Sequence, residues 1–137
     1  MLVVLDTNVI ISALLVDVGK PARVLDMVVK SYFSDGQIRL CCNEIIIAEY
    51  MDVVNRPRLA SKMVASGAIV TVDLLMDISI SFLPISSDIQ MPDETDRIFY
   101  DTAKGCGAIL ITGNLKHYPN ESWIMNPSDF LEYQALI

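Results

Sequence analysis

Unbroken apolar runs that stop on polar residues alternate along this chain with segments of helical spacing. Leu2 to Leu5 is the first run and ends on Asp6, Thr7 and Asn8. An apolar run that does not alternate reads as a strand covered on both faces. Gln37 to Cys42 and Ala108 to Thr112 repeat the pattern, ending on Asn43 and on Gly113-Asn114, and Ser122 to Met125 reads as a last strand. Between these runs, Val9 to Val16 is a short helix ended by Gly19 and Pro21, and Ala22 to Phe33 a second, striped by Val24, Leu25, Val28 and Val29. Asn43 caps a third helix, Glu44 to Val54, which is expected to bury Ile45, Ile46, Ile47, Ala48, Met51 and Val54. Leu59 to Ser66 and Thr71 to Phe82 read as two further helices parted by Gly67, and Leu83 to Ile85 as an edge strand, since Pro84 disfavours a central place. Pro92 to Arg97 opens a helix reaching about Gly105, and Pro127 opens the last, anchored by Phe130, Leu131 and Leu136.

Strands alternating with helices predict an α/β fold with a parallel sheet. At 137 residues, without repeats or linkers, one domain spanning 1–137 is expected. Hydrophobic residues make up 53% and charged residues 20%, which excludes disorder. No Lys or Arg precedes Val9 to Val16, so it does not read as a signal peptide. Ala68 to Ile89 is broken by Asp73, Asp77 and Pro84, so no membrane span is expected. Cys41, Cys42 and Cys106 form neither a disulfide framework nor a zinc motif, which fits a reducing cytoplasm. A formal charge of −7 argues against a general nucleic-acid binder. It remains compatible with an enzyme that meets phosphate through bound cations.

Four positions carry candidate chemistry. Asp6 stands at the carboxyl end of the first strand, where open α/β sheets bind ligands, although Asp6 or Thr7 could equally cap the next helix. Glu49 lies within an apolar helix surface, near enough its edge to be solvated. Asp96 shares a helical stripe with Phe99, Tyr100 and Ala103, while Asp93 and Asp96 together also resemble a capping box; Asp101 falls on the opposite, solvated side. Asn114 occupies a strand end equivalent to that of Asp6. Carboxylates from separate elements suit Mg²⁺ or Mn²⁺, which take oxygen ligands and keep waters, and point to metal-assisted hydrolysis. Arg56, Arg58 and Lys116 are candidates for phosphate contact, as is His117, which also reads as a loop or capping residue.

The Asp6-Thr7-Asn8 strand end, Glu49 just before Val53-Val54-Asn55-Arg56-Pro57-Arg58, Asp96 in Asp96-Arg97-Ile98-Phe99-Tyr100-Asp101-Thr102-Ala103, and Thr112-Gly113-Asn114 in this order resemble the PIN-domain ribonucleases, and among them the bacterial VapC-like toxin components. The resemblance implies a three-layer α/β/α fold with a central parallel sheet of four or five strands, the first strand central. It also implies metal-dependent RNA cleavage. It carries over Asp6, Glu49 and Asp96 as metal-binding acids, Asn8 as a support for Asp6, and Thr112 as a pocket hydroxyl. A homodimer and an antitoxin that blocks the pocket are implied in the same way. One departure stands out: many members carry a fourth acid where this chain has Asn114, a neutral and weaker cation ligand. Asp93 is the nearby acid that could substitute.

Two other readings stay open at this level. A haloacid-dehalogenase-like phosphatase also has an Asp after its first strand but needs a second Asp two residues on, where this chain has Asn8. A non-catalytic PIN-like module binding RNA or protein is favoured by Asn114 and the acidic charge. A dinucleotide-binding domain is disfavoured by the lack of a Gly-x-Gly-x-x-Gly after the first strand.

Overall fold

The apolar runs become a five-stranded sheet in the computed structural model, which describes residues 1–137. Strands β1 (Leu2–Leu5), β2 (Arg39–Cys42), β3 (Ile80–Ser81), β4 (Ile109–Ile111) and β5 (Ile124–Met125) lie in the order β3-β2-β1-β4-β5, every neighbouring pair parallel. Val3 pairs with Leu40 on one side and Ile109 on the other, which makes β1 central. Val3, Val4 and Leu5 are wholly buried, as an unbroken apolar run in a covered strand should be. Parallel ladders bring the carboxyl ends of the strands to one edge, so Asp6, Asn43 and Thr112 emerge on the same side. The chain leaves β1 towards β2 and β3, then returns to fill β4 and β5 on the other flank. Such a reversal opens a crevice beyond the central strand end.

Helices α1 (Thr7–Leu15), α2 (Lys20–Tyr32), α3 (Glu44–Val54), α4 (Ala60–Ser66), α5 (Ala68–Ile78), α6 (Arg97–Cys106) and α7 (Pro127–Leu136) flank the sheet in a three-layer α/β/α arrangement. No helix is long and apolar enough to cross a membrane. Helix α3 has the expected bounds, and the Asn43 side chain accepts from the Ile46 N–H at 3.0 Å. Its buried face is narrower than expected: Ile46, Tyr50 and Val54, four residues apart, turn inwards, while Ile45 is 55% exposed and Ala48 is also exposed. Consecutive residues are about 100° apart on a helix, so an apolar triplet cannot all face the core.

Three other boundaries shift for local reasons. Gly67 takes a left-handed φ of 72°, which ends α4 and lets α5 begin at the next residue, earlier than Thr71. The edge strand accordingly falls at Ile80–Ser81 and not at Leu83 to Ile85, where Leu83 is 77% exposed. A 3₁₀ turn over Glu94–Asp96 precedes α6, with Asp93 capping the Thr95 N–H at 3.0 Å. At the C-terminus, Phe130 is buried as expected, whereas Leu136 is 86% exposed and anchors nothing.

Asp101 corrects the helical-wheel expectation outright, because it is buried. The segment before α6 crosses that face: Ser87 Oγ donates to Asp101 at 2.5 Å, and the Arg97 guanidinium donates to the carbonyls of Ser87 at 2.9 Å and Ile89 at 2.6 Å. Further along α6, Gly105 leaves room for Ile85, whose Cγ1 would sit 3.1 Å from an added Cβ. Asp101→Ala removes the acceptor of a half-buried hydroxyl and is expected to cost about 1–3 kcal/mol in urea denaturation. An unchanged midpoint would mean that the crossing segment contributes nothing to the fold.

Candidate active site

Asp6 follows β1 directly and is 3% exposed. Its backbone stands at the N-cap of α1, but its side chain makes no cap hydrogen bond. Two hydroxyls hold it instead: Thr112, one residue past β4, donates to Oδ2 at 2.9 Å, and Tyr118 donates to the same oxygen at 2.7 Å. Oδ1 receives no protein donor. The capping alternative for Asp6 is therefore not realised.

The neighbouring polar residues fasten the two strand ends together. Asn8 accepts from the Gly113 N–H at 2.8 Å and lies 3.5 Å from the Thr112 hydroxyl, which also accepts from the Asn114 N–H at 2.9 Å. Beneath them, the Tyr50 hydroxyl donates to the Leu5 carbonyl. Neither Tyr118 nor Tyr50 stands out in the sequence. Their signal would have been the habit of buried tyrosines to find a partner for the hydroxyl.

Glu49, on α3, is half-buried and takes a 2.5 Å hydrogen bond from Thr7 on Oε2. Asp96, in the turn before α6, has Oδ2 2.9 Å from His117 Nδ1, and Asp93 Oδ2 lies 3.7 Å from the same nitrogen. Glu49 Oε1 and Asp96 Oδ1, like Asp6 Oδ1, have no protein partner. No Lys or Arg nitrogen lies within 4.0 Å of Asp6, Glu49, Asp93 or Asp96.

The acids feel one another. Burial pushes the Glu49 carboxyl up, with the Asp6 charge adding to it, and burial followed by the Asp6 charge raises Asp96 to about 6. The Tyr118 hydroxyl is also driven far up, first by burial and then by Asp6, with Asp96 and Glu49 contributing, so it stays a donor. A shared crevice of carboxylates explains all three. A folded-state value raised above the unfolded one means that the native protein binds more protons, so stability falls as pH rises from about 4 through 6. The metal-free protein is accordingly expected to melt a few degrees higher at pH 5.5 than at pH 7.5, read by circular dichroism. An equal or lower melting temperature at pH 5.5 would contradict the crowding.

The remaining sequence candidates are less engaged. Asn114 is exposed and its side chain makes no hydrogen bond; only its backbone contributes. Arg56 reaches Asp52 at a loose 3.5 Å, and its charge draws the Glu49 carboxyl down against the dominant effect of burial. Arg58 and Lys116 are exposed without ion pairs. His117 faces the carboxylates of Asp96 and Asp93. A concavity of about 580 Å³ is lined by mixed charges such as Arg23, Asp26, Lys30 and Asp35 beyond the start of β2, and carries no convergent chemistry.

The parallel α/β/α sheet thus carries Asp6 at its central strand end, with Glu49 and Asp96 near enough to feel its charge. The PIN-domain family matches residues 2–116, and the chain belongs to it. PIN domains are generally nucleases, act on nucleic acid and use divalent metals. No curated protein and no solved structure gives a match.

Proposed function

We propose that this chain is a Mg²⁺- or Mn²⁺-dependent endoribonuclease of the VapC-like toxin kind. The observation that carries the reading is the state of Asp6, Glu49 and Asp96. Each engages one carboxylate oxygen with a neighbouring side chain and leaves the other without a protein partner, and no Lys or Arg nitrogen comes within 4.0 Å of any of them, Arg56 acting on Glu49 only from farther off. Partly buried carboxylates without a contacting Lys or Arg fit a hard divalent cation. The residues present thus suit the ion, and Asp6, Glu49 and Asp96 are the ones to hold it.

Such an ion, when bound, supplies a Lewis acid for water and for the phosphodiester. The protein's part is orientation. Thr112 and Tyr118 fix the plane of the Asp6 carboxylate, Thr7 fixes Glu49, and Asn8 ties the loop after β4 to α1. Arg56, Arg58 and Lys116 supply exposed cations for the flanking phosphates, while the charge of −7 limits non-specific binding. A homodimer, an antitoxin partner that blocks the crevice, and a cytoplasmic location belong to the same proposal and rest on the resemblance to VapC-like proteins.

The test is incubation of the purified chain with single-stranded and structured RNA in Mg²⁺, in Mn²⁺ and in EDTA. Cleavage confined to the metal-containing reactions is expected. A second reading, a PIN-like module that binds RNA or protein without turnover, is favoured by the neutral, unengaged Asn114. It predicts retention of RNA without cleavage under every condition.

A further inference from the structure

We propose that His117, together with Asp93, completes the cation-binding set in place of Asn114, and that the crevice therefore prefers Mn²⁺ to Mg²⁺. This inference rests on the metal-dependent reading above. It starts from a gap: the Asn114 side chain is exposed, neutral and unengaged, so nothing there supplies a fourth charged ligand. On the turn that Asn114 itself opens, His117 brings its ligand atom within 4.8 Å of those of Asp93 and Asp96, a cluster that does not take in Asp6 or Glu49, and no other group of three or more His, Cys, Asp or Glu residues comes together so closely.

The spacings fit a coordination sphere. Metal bonds of about 2.1 Å at right angles give ligand edges of about 3.0 Å, and at the tetrahedral angle about 3.4 Å. His117 Nδ1 stands 2.9 Å from Asp96 Oδ2 and 3.7 Å from Asp93 Oδ2, edges close to those of such a sphere, and all three ligand atoms lie within 4.8 Å of one another. Asp93 is oriented for this: its Oδ1 is held by the Thr95 N–H at 3.0 Å and the Thr95 hydroxyl at 2.7 Å, which leaves Oδ2 to His117. Beside this cluster Asp6, a charged side chain 3% exposed, accepts two hydroxyl hydrogen bonds on Oδ2 and none on Oδ1, and no Lys or Arg nitrogen lies within 4.0 Å of it or of Asp96.

An imidazole nitrogen changes which ion is chosen. Mg²⁺ demands oxygen ligands and dehydrates reluctantly, whereas Mn²⁺ and the later transition metals accept nitrogen readily. If His117 merely donates a hydrogen bond to Asp96, it will not affect that choice.

Calorimetry of the metal-free chain with MnCl₂ and with MgCl₂, repeated on His117→Gln, decides between these roles. The wild type is expected to bind Mn²⁺ at least about tenfold more tightly than Mg²⁺, with the variant losing about tenfold or more in Mn²⁺ affinity and changing little towards Mg²⁺. Pulsed electron paramagnetic resonance of wild-type protein loaded with Mn²⁺ should show coupling to an imidazole ¹⁴N, and this needs no variant. Metal binding without nitrogen coupling, or with an unchanged Mn²⁺ preference in the variant, would overturn the inference and leave the nuclease reading intact. Binding of neither ion would sink both.

Discussion

Asp6→Asn is expected to reduce metal-dependent RNA cleavage by at least about 100-fold, more than any exposed basic substitution. Loss of a partner one step removed from a metal already costs about 10–100-fold, and Asp6 is proposed to touch the ion itself. The amide keeps one oxygen to accept from Thr112 or Tyr118, so the fold is retained while the charge is lost. A melting curve beside the cleavage assay separates the two effects. The substitution also has a signature independent of activity. Because the Asp6 charge contributes to raising Glu49 and Asp96, both carboxyls should titrate at lower pH in the variant, as followed by carboxyl NMR. Cleavage at the wild-type rate in Asp6→Asn would remove the carboxylates from the proposed mechanism.

Tyr118→Phe is the second large effect. The phenol is 5% exposed and shares Asp6 Oδ2 with Thr112, so its removal leaves a buried carboxylate with one donor where it had two. Hydrogen bonds to charged groups are worth about 1.5–3 kcal/mol, and stability should fall by about that amount in the metal-free protein. Cation affinity should fall by about 10–100-fold, because Asp6 is then free to turn. Thr112→Val shares the same acceptor, so the double variant should depart from additivity in a double-mutant cycle. Unchanged cation affinity in Tyr118→Phe would mean that the hydroxyl only fills space. The two substitutions thus test charge and orientation separately.

Much of this arrangement was legible from sequence. The unbroken runs at Leu2 to Leu5 and at Ala108 to Thr112 mark two strands with polar ends, and the structure makes them neighbours, so that those ends meet in one crevice. Asn43 is a cap in both sequence and structure, and α3 keeps its expected bounds. Edges were harder. The run before Pro84 breaks at Ser79, whose extended backbone feeds β3, and this is a matter of pairing with Cys41 and Cys42 that helical spacing does not encode. Asp101 looked solvated because a helical wheel sees only its own helix, not the segment that Ser87 and Arg97 draw across it.

The sequence by itself determined the α/β class, the position of Asp6 at a strand end and the family, since these depend on backbone periods of 2 and 3.6 and on the order of motifs. Only the tertiary structure decided which groups meet Asp6. Tyr118 is 112 residues away and reaches it because β4 lies beside β1. The same sheet order brings Thr112 and Tyr118 to one oxygen of Asp6 and leaves the other unclaimed. Local periodicity follows from the geometry of a few residues; hydrogen-bond partners across a parallel sheet follow from strand order, which no single stretch of the chain contains.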